Sequence, residues 1–355
     1  MSLSPEIALA MPIGSWHPFL PLVLRGLENQ RLPLQLAILD ASGDQRVERA
    51  LEESNLTFLY TRKGADMGQS AAIIEGWENT DAPFIGWLNT DDILFSGALK
   101  IMLCTIKELD LDVVFGDSCI LNADGETVGV HGQVNEVDRN LLLTNCISQP
   151  STLIRRRTMD QVGGLNTSLK FTMDWDLWIR IYKAGGKFHK IDKVLSAVYW
   201  GDKTKTSQIS VRRMNEIYNI SRRSNSFYQA LKTVVSAARQ QINYDKKVDS
   251  GQKACNQTPG IFLTADCHPN EEGTANKTIS VINTNKKPCR KLVVNWHGST
   301  PKIECNQSVD QFEIRSNHVQ IQLSAEVPCA FATQINIVAK NDGHTRFLCG
   351  KFLKN

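Results

Sequence analysis

The sequence predicts an α/β domain built on a largely parallel sheet with crossover helices, followed by a small all-β sandwich. Short apolar runs at 6–12, 34–39, 57–60 and 84–88 alternate with stretches of helical periodicity through the first half of the chain. Several of these runs end in acids or Gly/Ser turns, at the strand ends where open α/β sheets bind their ligands. Past about residue 253 the period changes to two, over Thr278–Ile282, Lys291–Trp296, Gln311–Arg315, His318–Leu323 and Gln334–Val338, the pattern of short antiparallel strands. The expected division is 1–245 for the α/β domain with its closing basic helices and 246–355 for the β domain, with a linker near 245–253.

Taken in order, Glu6–Pro12 reads as a short buried strand ended by proline. Leu20, Val23, Leu24 and Leu27 then recur at helical spacing between His17 and Gln30. Leu34–Leu39 is a second strand, running into Asp40-Ala41-Ser42-Gly43-Asp44 and a polar helix over Gln45–Glu53. This strand–helix–strand order implies parallel neighbours. Asp40 at a strand end can hydrogen-bond a nucleobase or ribose, or with Ser42 it can satisfy turn amides. Thr57–Tyr60 is a third strand, and the glycine-bearing loop Gly64–Ser70 precedes a helix with Ile73, Ile74 and Trp77 inward. Glycines ahead of a helix start let backbone amides face a phosphate.

Phe84–Leu88 is a buried strand that delivers Asp91 and Asp92. Adjacent carboxylates repel unless something positive stands between them, and Mg²⁺ or Mn²⁺ bridging phosphate oxygens is the usual answer. The alternative is an Asp-Asp turn capping a helix that starts near Ser96. Asp112–Asp117 reads as a further strand ending in an acid, followed by a hairpin closed by Asp124-Gly125. The loop Ile147–Ser151 leads into the strand Thr152–Arg155, where Gln149, Arg155 and Arg156 either face a sugar or phosphate or lie solvated. A helix starting at Asp174 turns Leu177, Trp178 and Ile181 inward, with Asp174 in capping position. Lys203–Asn243 is helical and holds eight Lys/Arg against one acid, Glu216. Packing on its own domain with the basic face in water is the commoner outcome for such a segment, and peripheral contact with an anionic membrane face is the other.

Among 355 residues, 40 are basic and 37 acidic, a formal charge of +3 that is too near neutral to suggest a nucleic-acid partner. No apolar run approaches the roughly 20 residues that span a bilayer. Met1–Glu6 lacks the basic and apolar regions of a secretion signal, so the expected location is the cytoplasm, with the membrane inner face as the peripheral alternative. Nine cysteines without a C-x-x-C pair point to reduced thiols, not a zinc site.

Asp40-Ala41-Ser42-Gly43-Asp44, Asp66-Met67-Gly68-Gln69-Ser70-Ala71 and Gly86-Trp87-Leu88-Asn89-Thr90-Asp91-Asp92-Ile93-Leu94 resemble, in order and separation, successive blocks of the family-two inverting glycosyltransferases of GT-A fold. The third matches that family's D-x-D-type metal motif. Gly163–Leu169 with Asp174-Trp175-Asp176-Leu177-Trp178 resembles the later block in which the acid at the Asp174 position is the general base. The resemblance covers about 6–206 and implies a Rossmann-like mixed sheet with helices on both faces. It implies a nucleotide-sugar site of Pro12, Asp40, Asp66, Gly68, Gln69, Asn89, Asp91 and Asp92. Within that set Asp40 would hold the base, Asp91 the ribose and Asp92 the Mg²⁺ or Mn²⁺. Gln149, Trp175 and Asp176 fall toward the acceptor. The implied donor is a nucleoside diphosphate sugar, with UDP favoured, and the implied acceptor is a glycan or glycolipid in polysaccharide or glycolipid synthesis.

Two departures from the family pattern matter. Met173 stands where many relatives carry a second acid. The Arg-x-His of relatives is absent from Trp200–Thr206, leaving Asp202 as a substitute ligand and Lys203 or Lys205 to neutralise the diphosphate. Two other functions share parts of this pattern. A sugar nucleotidyltransferase needs a Gly-rich basic loop after the first strand, of which Met11–Trp16 is a poor version. A catalytically silent glycan-binding protein fits the missing histidine and the extra β domain.

Overall fold

The computed structural model of the chain describes residues 4–121, 127–130, 136–201, 210–249 and strand segments between 261 and 353; the last of these, with 127–130 and 243–249, are described by their backbone. The first sheet has nine strands: β1 (Ile7–Ile13), β2 (Leu34–Asp40), β3 (Tyr60–Lys63), β4 (Phe84–Trp87), β5 (Ile93–Leu94), β6 (Val113–Leu121), β7 (Thr127–Val130), β8 (Thr152–Arg155) and β9 (Phe188–Tyr199). Their order is β3-β2-β1-β4-β8-β6-β9-β5, with β7 on β6. Strands β1 to β4 are parallel, and β8 runs antiparallel to both β4 and β6, so the sheet is mixed.

Both faces of this sheet are covered, which is why β1 reads as a continuous apolar run. Ile7, Leu9, Met11 and Ile13 face one core with helices α1 (Leu20–Glu28), α2 (Gln45–Glu52) and α4 (Ala98–Glu108). Ala8 and Ala10 face the other with α3 (Gln69–Glu78), α6 (Met173–Lys183) and α7 (Val211–Arg222). The short helix α5 (Arg156–Val162) follows β8, and α8 (Phe227–Asp249) follows α7. Leu177, Trp178 and Ile181 are all fully buried, as the helical spacing predicts.

Small residues on β1 and β2 let α3 lie close to the sheet. A Cβ on Gly76 would come within 2.8 Å of Ala10 Cβ, 2.9 Å of Leu39 Cδ2 and 3.2 Å of Ala37 Cβ. Alanine gains about 1 kcal/mol of helix propensity over glycine, yet overpacking a core of this density costs typically about 1–3 kcal/mol. Gly76→Ala is therefore expected to lower the chemical-denaturation midpoint. An unchanged or raised midpoint would show that α3 can retreat without loss.

Several local expectations are corrected. The third strand begins at Tyr60 where it was expected to end, because its register is set by the buried half of β2, from Ala37↔Tyr60 to Asp40↔Lys63. Strand β1 continues through Pro12 to Ile13; past Ala10 it is paired by β2 alone, an open edge where proline's missing N–H is tolerated. Asp117 lies inside β6, since β9 carries the pairing on to Leu121↔Tyr199, and a register shift flanks the acid. The acid pair caps no helix, because β5 intervenes and Gly97 is the N-cap of α4. Arg155 and Arg156 are neither solvated nor turned to a ligand. Arg155 donates to the Leu111 carbonyl at 2.8 Å, and Arg156 to those of Ala82 at 2.7 Å and Trp77 at 2.8 Å, tying the β8–α5 junction to a neighbouring loop and to the end of α3. Helix α8 runs through the expected linker start to Asp249.

Beyond it, β10 (Ile261–Pro269), β11 (Ala275–Asn283), β16 (Ala332–Val338) and β13 (Lys302–Ile303) form one four-stranded antiparallel sheet. Strands β14 (Val309–Ile314), β15 (His318–Val327), β12 (Cys289–His297) and β17 (Arg346–Leu353) form another. The segments read from period-two alternation fall within these strands, except for Arg315, which lies outside the described residues.

Candidate active site

The loops leaving the carboxyl ends of β1, β3 and β4 meet the segments around Asn145, Gln149 and Asp174 across a cavity of about 630 Å³. Ligands of open α/β sheets bind at this edge. Ten of the twelve residues expected at the site line it: Pro12, Asp66, Gly68, Gln69, Asn89, Asp91, Asp92, Gln149, Asp174 and Trp175. Two do not. Asp40 sits buried at the end of β2, where its Oδ1 accepts from the Ser42 N–H at 2.8 Å and the Ser42 hydroxyl at 2.6 Å, the turn-satisfying role of an Asx residue. Asp176 is buried between Arg180 and Arg223, at 2.8 and 2.9 Å, and braces α6 against the end of α7 instead of facing the cavity.

On the donor side, Asp66 accepts from the Gly68 N–H at 2.8 Å, and Gly68 at φ +109° opens helix α3, a backbone that only glycine adopts without strain. Gln69 donates to Asn89 at 2.7 Å, and Asn89 donates to Asp92 Oδ2 at 2.8 Å. Burial first, and Asp91 beside it second, push the Asp92 carboxyl well above the usual carboxylate range, with the Asn89 hydrogen bond opposing. A desolvated carboxylate next to a second one is a donor set that fits a hard divalent cation, which takes one or two carboxylates and fills its remaining positions with phosphate oxygens and water. Among the described residues no group of three or more His, Cys, Asp or Glu could hold a metal, so such an ion would depend on the substrate for further ligands. The substitutes proposed for the missing histidine, Asp202, Lys203 and Lys205, lie outside the described residues.

Asp174, in the first turn of α6, lines the same cavity. Burial raises its pKa, while the Trp175 N–H, the Asn145 amide at 2.9 Å and the charge of Arg213 work in the other direction. Trp175 reaches the cavity but is held in the core, with its indole N–H donating to the Leu141 carbonyl at 2.7 Å. Trp178 stacks on Trp87, ring centres 6.2 Å apart. Gln149 donates to the Trp87 carbonyl at 2.7 Å, closing the end of β4.

Sequence reasoning missed four supports of this site. Asn145 holds the Asp174 carboxylate. Arg213 reaches the cavity from α7 and bonds Gln241 of α8 at 2.8 Å. Ser118, Ser148, Ser151 and Ser196 share buried hydroxyl bonds of 2.6–2.8 Å that anchor the Gln149 loop to β6 and β9. Glu216 accepts from the Lys170 and Phe171 N–H groups at 3.0 and 2.8 Å and from the Thr172 hydroxyl at 3.1 Å, fixing the segment that opens α6. Only Glu216 had a signal, as the lone acid among eight basic residues. Glu216→Ala would strand these donors at a cost of about 1–3 kcal/mol, so its thermal midpoint is expected to fall; an unaltered midpoint would mean that water replaces the carboxylate.

No family model matches the chain. It is 22% identical over 275 residues to the chondroitin synthase of Pasteurella multocida (strain Pm70), covering 73% of this chain and 26% of that protein. It is 25% identical over 134 residues to the hyaluronan synthase of Pasteurella multocida, covering 37% of this chain and 14% of that one. The chain thus spans about a quarter or less of the length of these curated relatives. Similar solved structures include S. aureus TarS in complex with UDP-GlcNAc, with 14% identity, TM-score 0.49 and coverage of 68% of this chain and 74% of that one. The mannosyltransferase PcManGT from Pyrobaculum calidifontis, in complex with GDP-Man and Mn²⁺, matches with 14% identity, TM-score 0.49 and coverage of 68% and 76%. In its acidic blocks and in sequence, the chain is thus similar to glycosyltransferases of the synthase kind, over a part of their length.

Proposed function

We propose that the chain moves a sugar from a nucleoside diphosphate sugar to a glycan or glycolipid hydroxyl, with inversion and with help from Mg²⁺ or Mn²⁺. The observation that carries this reading is that Asp92 and Asp174, from separate segments and both with raised pKa values, open into one cavity. The D-x-D acids and the synthase names of the curated relatives support a polysaccharide-type product.

In this reading Asp66, Gly68 and Gln69 line the donor end, and the α3 N-terminus faces its phosphates, where backbone amides and the helix dipole favour an anion. Asp92 would hold the cation, with Asp91 beside it toward the ribose, and the ion would supply positive charge against the departing diphosphate. Asp174 accepts the proton of the acceptor hydroxyl as its oxygen bonds to the anomeric carbon. The bond from that carbon to the β-phosphate oxygen breaks on the opposite face, and its electron pair leaves with the nucleoside diphosphate. Because the buried Asp174 must be ionised to take a proton, the rate is expected to rise with pH above the ordinary carboxylate range. Asn145→Ala removes a donor that favours the ionised form, so the rising limb should move to higher pH; a profile that stays put would remove Asn145 from this role.

A thermal-shift screen of UDP-, GDP-, dTDP- and CMP-sugars, each with and without Mn²⁺, tests the donor assignment. One nucleotide sugar is expected to raise the midpoint in a Mn²⁺-dependent way. Silence toward all of them would reject the proposal, and release of pyrophosphate from a nucleoside triphosphate would instead identify a nucleotidyltransferase.

A further inference from the structure

Helix α8 has two faces with different tasks. Ala230, Thr233 and Gln241 are buried, and Thr233, Ala237 and Gln241 also line the cavity. The other face is apolar and open to solvent: Phe227 is 59% exposed, Tyr228 65%, Leu231 42%, Val235 49% and Ile242 43%. At about 100° per residue these five fall within an arc of about 100°. Isolated exposed apolar side chains are ordinary, but a stripe of this length with two aromatics marks a contact surface.

Charge borders the stripe. Lys232 and Arg239 are exposed along one edge, and the Lys232 ammonium lies 4.6 Å from the Tyr228 ring centre. Arg222 is exposed where α7 leads into α8. No Asp or Glu occurs from Ile217 to Ile242. Asp245 and Asp249 come only in the last turns of α8, and up to Ile242 a cationic border without acids is poorly matched to a partner of mixed charge and well matched to an anionic one. Apolar side chains flanked by Lys and Arg on an amphipathic helix are what lets such a helix lie in a headgroup layer. No helix of the described residues is long and apolar enough to cross a membrane.

We propose that the outer face of α8 docks in the plane of an anionic phospholipid bilayer, with Phe227, Leu231, Val235 and Ile242 entering the acyl boundary and Lys232 and Arg239 pairing with lipid phosphates. The opposite face of the same helix walls the cavity, so docking would hold the site at the bilayer surface.

The test is sedimentation of the full chain with vesicles of phosphatidylcholine alone or with about 30% phosphatidylglycerol. Binding to the anionic vesicles is expected, and it should weaken as salt screens the surface. Lys232→Gln with Arg239→Gln should weaken partition roughly 25-fold, about fivefold for each charge removed. Leu231→Gln with Val235→Gln should abolish binding while leaving the thermal midpoint unchanged, since both positions face water. No binding, or equal binding to both vesicles, would overturn the proposal. So would a dimer of the wild-type chain that the Leu231→Gln, Val235→Gln variant dissociates, because the stripe would then belong to a second copy. None of these readouts requires a donor sugar, so they stand apart from the test of transfer.

Discussion

Asp174→Asn is expected to slow sugar transfer by roughly 10²- to 10⁴-fold, the usual contribution of a positioned general base, while leaving nucleotide-sugar binding intact. The asparagine keeps the shape of the side chain and its place in the first turn of α6, so the cavity wall is preserved. What it loses is the ability to accept a proton. Binding should be spared because the donor-side residues Asp66, Gly68, Gln69 and Asn89 come from other segments that line the cavity, the β3–α3 loop with the start of α3 and the end of β4. The measurement is a single-turnover rate beside a donor titration by calorimetry. Full transfer rates in this variant would end the base assignment, and lost donor binding would move Asp174 to the donor side.

Asp92→Asn should have two effects of opposite sign. Transfer is expected to fall by about 10²–10³-fold, the scale of removing one charge-stabilising contact from a transition state, and Mn²⁺ should no longer enhance donor binding. Stability without ligand should rise. Burial lifts the Asp92 pKa above its unfolded value, so the folded chain holds a proton there that the unfolded chain gives up. That preference is fully present below the unfolded pKa of about 4 and is lost as pH rises through the raised folded value. An isosteric amide never pays the ionisation cost, so at neutral pH the variant should melt higher, by roughly 2–4 °C per kcal/mol for a domain of this size. Mn²⁺-stimulated turnover at the native rate would refute the metal role, whereas an unchanged melting midpoint would mean that the native carboxylate is already compensated.

Fold and site were legible to different extents. The strands of the first domain could be read because, in a sheet covered on both faces, each strand is itself an apolar run, as in Ile7–Ile13. The boundaries that failed, at Tyr60 and Asp117, are those set by a partner strand: β2 decides where β3 starts, and β9 carries β6 past its acid. Arg155 and Arg156 read as solvated or ligand-facing cations because nothing local signals that the carbonyls of Trp77, Ala82 and Leu111 await them. Asn145 and the four serines carry no pattern at all, since their partners are remote in sequence.

Local spacing and residue chemistry therefore sufficed for the strand–helix alternation, the acids at the strand ends and the helix that carries Asp174. Folding decided which acids share solvent: Asp91, Asp92 and Asp174 open into one cavity, while Asp40 closes its own turn and Asp176 braces two helices. The physical reason is range. Periodicity and capping act over a few residues, whereas desolvation and hydrogen-bond partnership depend on what the rest of the chain brings alongside.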